Sequence, residues 1–280
     1  MIQAAKSAQR FLGVDFHKRQ DPRIREAQAR FQTGRYGQFQ AAIFYMLDKL
    51  MVGDPNHSPR FFASPDFAEK NTPISFLTVH MADALMQIVN LAPIKVRATG
   101  HAHKLPSLKP TPVHGYDLVD TEVVFQNGGT AHILTGWAIP NTAWSTTVQS
   151  GRLICSEGLI DLGLDTPGLR EIVGDAVSEV NPLFRNFGQD GRVTGYGIES
   201  PGSLYRQIIA RRAGAFTPQD LDKALSPMSL GFYATLILEA AHRSLAAGEK
   251  VGSGSTCGSS VDLKELLREE LGPAAGQYLA

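Results

Sequence analysis

The chain has 280 residues with 27 Lys+Arg against 27 Asp+Glu, so its formal net charge is zero. That balance gives no global attraction to nucleic-acid phosphates or anionic lipid, which argues against a dedicated binder of either. A hydrophobic content of 43% is that of a globular chain, and two cysteines far apart, Cys155 and Cys257, exclude a disulfide framework or a cysteine zinc site. No stretch reaches the roughly 18 apolar residues of a membrane span. The first residues lack the apolar core of a secretory signal, so the cytoplasm is the default compartment.

Met1 to Arg10 reads as the last turns of a helix and Phe11 to Phe16 as a strand. Asp21-Pro22 supplies an N-cap with proline at the first helical position, and that helix runs to Phe31 with Gly34 as its stop. Phe39 to Leu47 is a second strand, and 53–73, rich in Pro, Asn, Asp and Ser, is a long loop. Leu77, Met81, Leu85 and Ile88 recur at helical spacing, which predicts a helix from Ile74 to Leu91. Ile94 to His103 is a strand. Thr121–Phe125 and Thr130–Ala138 flank Asn127-Gly128, a hairpin signal in which both turn positions take positive φ. Thr146–Gln149, Arg152–Cys155 and Leu159–Leu162 continue the meander, with turns at Ser150-Gly151 and Glu157-Gly158. Residues 188–201 read as irregular. Thr217-Pro218 opens a short helix, Pro227 to Ala247 is the longest helix, 252–260 is a flexible loop, and Asp262 to Leu271 is a terminal helix. Strands joined by tight turns, then helices, predict an α+β fold: a large, mostly antiparallel, open-faced sheet with helices packed on one face.

Few residues stand out for chemistry. His80 and Asp83, at i and i+3, share one helical face. Such a pair serves equally as a base whose tautomer a carboxylate fixes, or as a buried histidine satisfied by its neighbour. His101 and His103 share a strand face and read as exposed residues, and no metal is expected. His17, Lys18 and Arg19 either line a polar pocket at a strand end or form a solvated turn. Gly252-Ser-Gly254-Ser-Thr-Cys-Gly258 follows a helix, whereas a phosphate cradle stands between a strand and a helix N-terminus. It is read as a loop, and no dinucleotide fingerprint, Walker motif or nucleophile elbow is found elsewhere.

Several motifs fall into one order. Val14-Asp-Phe-His-Lys-Arg-Gln-Asp-Pro22, followed by Phe31-Gln-Thr-Gly-Arg-Tyr-Gly37, resembles the strand, R-x-D-P turn, helix and G-x-x-G stop of the Gfo/Idh/MocA oxidoreductases, relatives of glucose–fructose oxidoreductase and inositol dehydrogenase. Phe76-Leu-Thr-Val-His80-Met-Ala-Asp83 is similar to that family's H-x-x-D helix, Val124-Phe-Gln-Asn-Gly128 to its strand ending in N-G, and Ala247-Gly-Glu-Lys-Val251 to the end of its last helix. The resemblance covers roughly residues 10 to 252. It departs in two places: the family's Rossmann G-x-G-x-x-G loop and E-K-P lysine are not in these residues, and Phe76 stands where the family often has Asp.

The resemblance implies that residues 1–280 form one substrate-binding and oligomerisation domain, with 1–10 a remnant helix of an absent nucleotide domain. The activity implied is that of an NAD(P)-dependent oxidoreductase acting on the CH–OH group of a sugar, polyol or related compound. A non-catalytic ligand-binding or assembly module of the same fold is the alternative. His80 would be the base or a substrate hydrogen-bonder, Asp83 would orient it, and Arg19, Trp137 and Asn141 would form the pocket wall. NAD or NADP is expected for the complete enzyme and none for this chain alone, with a separate Rossmann-domain chain as a possible partner. A homo-oligomer through the sheet face is also expected, because 123–151 contain no Asp, Glu, Lys or Arg and neither alternate set of Thr130–Ala138 looks solvated. Ile133 is the position at which a charge is expected to dissociate such an oligomer.

Overall fold

The computed structural model describes residues 1–165, 169–174 and 176–278. A short helix α1 (Ile2–Ser7) leads through an extended segment and a 3-10 turn, His17–Gln20, to α2 (Pro22–Phe31). Asp21 caps α2, its carboxylate accepting the Arg23 backbone N–H at 2.9 Å. Strand β1 (Phe39–Lys49) follows, then a long connection holding the short α3 (Phe67–Lys70), a π-helical turn Ile74–Thr78, and α4 (Val79–Val89). Strands β2 (Pro93–His101), β3 (Leu118–Phe125), β4 (Thr130–Ile139), β5 (Thr147–Cys155) and β6 (Gly158–Gly163) complete most of the sheet. Two small ribbons, β7 (Leu169–Val173) with β8 (Ala176–Val180) and β9 (Asn186–Phe187) with β10 (Val193–Thr194), precede α5 (Tyr196–Arg212) and α6 (Pro218–Ala224). Helix α7 (Phe232–Ala246), strands β11 (Glu249–Val251), β12 (Ser255–Cys257) and β13 (Val261–Asp262), and α8 (Leu263–Leu271) end the chain.

The main sheet has the order β11-β12-β2-β3-β4-β1-β5-β6, with β13 also on β2. Every pairing in it is antiparallel except β1 with β4, so the α+β expectation holds with one parallel contact. That contact arises because β1, far earlier in sequence, inserts between β4 and β5 and breaks the expected meander. Helices α4, α7 and α8 cover one face. Their Met81, Leu85, Ile88, Ile237, Ala241 and Leu266 join Phe44, Val96 and Ile133 of the sheet in one core. Eight of the eleven α4 residues are buried, which a helix wedged between α2, α7 and the sheet requires.

Several local expectations are corrected. Residues 11–16 form no strand: they run extended against α5, where a Cβ on Gly13 would meet Leu204 at 2.7 Å. Asn127-Gly128 does turn the β3–β4 hairpin, but only Gly128 has positive φ, at 83°. Gly128 N–H bonds Phe125 O and Phe125 N–H bonds Gly129 O, the pattern of a three-residue loop with a bulge in place of a two-residue turn. Ser150-Gly151 is no turn but mid-strand in β5. Gly151 is there because the Phe44 ring lies on it, 2.6 Å from where a Cβ would stand. The expected loop 252–260 contains the turn and second strand of the β11–β12 hairpin. The expected irregular 188–201 already contains β10 and the first turns of α5, with Pro201 inside the helix. At 17 residues α5 is longer than α7, which starts only at Phe232 because Pro227 to Gly231 form turns.

The two sets of β4 residues also separate. Ala131, Ile133, Thr135 and Trp137 are all buried beneath helices or loops, whereas His132 lies exposed on the open face beside Ile43. Ile133 is therefore a core residue and not the probe of an interface. The open face carries Ile43, Ile154 and Leu159, 49%, 39% and 50% exposed, together with the His132–Asp120 hydrogen bond and the Arg152–Asp161 ion pair.

Candidate functional site

A cleft of about 710 Å³ opens where the C-terminal end of β1 meets the start of β5. His17 and Lys18 of the 3-10 turn and Gln149 of β5 line one side, and Met46 and Lys49 of β1 adjoin them. Residues 144–147 bring Trp144 and three hydroxyls, Asp165 follows β6, and Phe184, Arg185, Phe187 and Tyr196 add to the lining, with Phe184 and Tyr196 against the His17 ring. The 3-10 turn explains why consecutive residues diverge, since each step rotates about 120°. His17 and Lys18 face this cleft, while Arg19 rims a separate cavity of about 310 Å³ against Leu204 and Phe216.

Lys18 is 2% exposed and its ammonium donates to the Gln149 side-chain oxygen. Burial pulls its pKa down to about 8, against the favourable charge of Asp21. His17 stacks on Tyr196, centroids 5.8 Å apart, and tilts against His80 at 4.9 Å. Burial lowers His17 to about 4 and, with His17 and Lys18 as further causes, His80 to about 3. Both rings are therefore neutral at physiological pH. Burial raises Tyr196 to about 12. Behind the wall, Thr147 donates to Asp48 at 2.5 Å, and burial lifts that carboxyl to about 6.

The five residues expected to form the site are dispersed. His80 is half-buried behind His17, and its Nδ1 has no partner among the described residues. Asp83 does not orient it: both Asp83 oxygens are taken by Arg19, at 2.9 and 2.6 Å. Trp137 is fully buried in a second core under the 53–73 loop, near Phe67 and Gly53, and does not line the cleft. Asn141 is exposed and accepts the Met51 N–H at 2.8 Å, capping the Leu50–Val52 turn. Phe76 packs edge-on to Phe62 and Phe67.

Lys18 was expected only as one of two readings of its turn, and Gln149, Lys49, Arg185 and Tyr196 were not expected. Gln149 had a signal: it falls on the inward-facing set of β5 with Gly151, Leu153 and Cys155, where a polar side chain needs a partner. Asp48 on the inward set of β1 carries the same signal.

The Lys18 charge has a stability consequence. Its folded pKa lies below the ordinary value of 10.5, so the unfolded chain holds the proton more tightly and stability rises as pH goes from about 8 to 10.5. Below pH 8 the whole cost is present, on the order of 3 kcal/mol. Lys18→Met removes that cost but leaves the Gln149 oxygen without its donor, a loss of about 1–3 kcal/mol. A net gain of about 1 kcal/mol at pH 7 is expected, reversing near pH 10. Urea unfolding of both proteins at the two pH values checks this, and a variant less stable at pH 7 would show that the buried charge is better compensated than its contacts indicate.

No family model and no curated protein matches the sequence. Solved structures do match. A probable dehydrogenase from Thermotoga maritima superposes with a TM-score of 0.59 at 18% identity, over 94% of this chain and 68% of that one. Scyllo-inositol dehydrogenase from Lactobacillus casei, with bound NAD(H) and scyllo-inositol, gives 0.57 at 13% identity over 85% and 63%. A myo-inositol dehydrogenase from Corynebacterium glutamicum gives 0.53 at 18% over 86% and 66%. The chain shares its fold with these dehydrogenases and spans about two thirds of each of them.

Two glycine segments among the described residues leave no room for a phosphate cradle. The Gly252–Gly258 run is a β-hairpin and its continuation, with Gly254 against His103 and Gly258 against Ser244. The glycine pair that opens α5, Gly195 and Gly197, is filled by Phe184. No group of His, Cys, Asp and Glu suited to a metal occurs among the described residues, and no helix among them is long and apolar enough to cross a membrane.

Proposed function

We propose that these residues form the substrate-binding and oligomerisation half of an NAD(P)-dependent oxidoreductase acting on the CH–OH group of a sugar, polyol or related compound. The observation that carries the reading is the 710 Å³ cleft, lined by hydroxyl, cationic and aromatic groups, on a fold shared with inositol dehydrogenases. A hydroxylated ring needs hydrogen-bonding groups around its edge and an apolar surface under its C–H face. Ser145, Thr146, Thr147, His17 and Lys18 supply the first, and Trp144, Phe184 and Phe187 the second. The nicotinamide cofactor is held by a segment or partner chain outside these residues. His17 and Lys18 meet the substrate. His80, standing behind His17, positions that ring and is too weak a base to take a hydroxyl proton itself. Arg19, Asp83, Trp137 and Asn141 support the walls of the domain. The open face of the sheet, with Ile43, Ile154 and Leu159, pairs with the same face of a second copy.

A second reading is a non-catalytic binding module of the same fold, and the commitment of Asp83 to Arg19 favours it. Both readings need the cleft to bind. Calorimetric titration with polyols, aldoses and sugar acids is expected to find at least one ligand that His17→Ala and Trp144→Ala each weaken by about tenfold. A panel without a binder, or binding indifferent to both changes, overturns the role of the cleft. Dehydrogenase turnover after a dinucleotide-binding domain is supplied in trans separates the catalytic reading from the non-catalytic one.

A further inference from the structure

Charge in the cleft is unbalanced. Lys18, Lys49 and Arg185 line it, and the one carboxylate among the described lining residues is Asp165. Asp165 is engaged in turn by the Gln149 backbone N–H at 3.3 Å. Carboxylates nearby are committed elsewhere: Asp21 holds Arg23 at 2.8 and 3.0 Å, and Asp48 accepts from Thr147 behind the wall. Lys49 and Arg185 pair with no carboxylate among the described residues, and Arg185 instead lies over the Phe187 ring at 5.2 Å. Lys18 is the decisive group. It is 2% exposed, and its ammonium has three N–H donors with one protein acceptor, the neutral Gln149 amide. The Asp21 charge favours it from a distance, but a buried ammonium with no carboxylate bonded to it is unfavourable unless something brings one.

Resting on the reading of the cleft as a polyol-binding site, we propose that its ligand is an acidic polyhydroxy compound, with an oxyanion (carboxylate or phosphate) seated on Lys18 and flanked by Lys49 and Arg185. The hydroxyls of residues 145–147 then meet the neutral end of the molecule. A charge-assisted bond to a desolvated ammonium is worth about twice a neutral one, so an anion gains there more than a hydroxyl at the same place. Neutral sugars would leave the excess of cations over Asp165 uncompensated.

Titration of the full chain by calorimetry tests this with three sets of probes: myo-inositol and glucose as neutral ligands, gluconate and galacturonate as carboxylates, and glucose 6-phosphate as a phosphate. At least one acid is expected to bind about tenfold or more tighter than the neutral sugars at low salt. Lys18→Met should abolish that preference, and Lys49→Ala and Arg185→Ala should each reduce it. Comparison of the carboxylate and phosphate arms identifies the oxyanion. Neutral sugars binding as tightly as every acid overturn this inference and leave the polyol reading standing. Acids that bind equally to wild type and to all three variants sit outside the cleft and also overturn it. Binding by none of the probes overturns both.

Discussion

Ile133→Asp is expected to unfold the chain, whereas Ile43→Asp is expected to leave it folded and to separate its subunits. The two residues lie one register step from each other on adjacent strands: Ile43 pairs with His132 in the parallel β1–β4 ladder, and Phe44 with Ile133. Successive side chains point to opposite faces, so this single step decides everything. Phe44 and Ile133 are fully buried under the helices, while Ile43 is 49% exposed on the open side. A carboxylate at 133 loses the transfer energy of the isoleucine and buries a charge without a partner, together at least about 4 kcal/mol, a large part of a domain's usual stability. At 43 the carboxylate stays in water in the monomer and is buried only if a second sheet closes over it. Denaturant unfolding and light scattering measured on both variants decide the matter. A stable Ile133→Asp protein would mean that the helices cover the other face. A wild-type chain that scatters as a monomer at tens of micromolar, or an Ile43→Asp chain that keeps a larger assembly intact, would remove the sheet-face interface.

That outcome bears on what the sequence could convey. Helices α2, α4, α6 and α8 were legible because capping residues and apolar spacing are local: Asp21-Pro22, Thr217-Pro218 and Asp262 each cap a helix where expected. The strand pairs β3–β4 and β5–β6 were legible from the turns that join them, whereas the β11–β12 hairpin was not. What failed was anything set by a distant neighbour. The glycine at 151 resembles a turn residue in sequence and is instead the seat of Phe44, and β1 enters the sheet between strands a hundred residues downstream. The cleft escaped for the same reason, since its walls come from 17–18, 46–49, 144–149, 165, 181–187 and 196. Trp137, at a strand end, looked like a pocket wall because the 53–73 loop has no pattern that foretells its fold. That loop brings Phe62 and Phe67 down near the end of the sheet and makes a second core there. His17-Lys18-Arg19 came closest to being read correctly, as a pocket rim or a turn. It is both, and the 3-10 geometry sends its members to different places.

Arg19 supplies the other large effect. Its guanidinium grips Asp83 through two parallel hydrogen bonds, donates to the Met228 and Ser229 carbonyls that precede α7, and lies over the Phe16 ring at 4.5 Å. One side chain thus ties the 3-10 turn that carries His17 and Lys18 to α4 and to the approach of α7. Asp83 is fully buried, and burial raises its carboxyl above the usual range even with Arg19 opposing. Without the guanidinium, nothing opposes that rise. Arg19→Ala is therefore expected to cost about 3–5 kcal/mol at pH 7, the scale for stripping one partner from a buried pair. The sign of its pH dependence follows from the raised carboxyl. The folded variant holds the Asp83 proton more tightly than the unfolded chain, so stability is retained in acid and lost as pH rises from about 4 through the folded value. Arg19→Ala with Asp83→Asn should recover much of the loss and flatten the pH profile, because no charge is left to bury. Unfolding curves of the single and double variants between pH 4 and 8 measure both expectations. An Arg19→Ala protein as stable as wild type would show that Asp83 finds another partner, and the link from the cleft turn to α4 and α7 would then rest on packing alone.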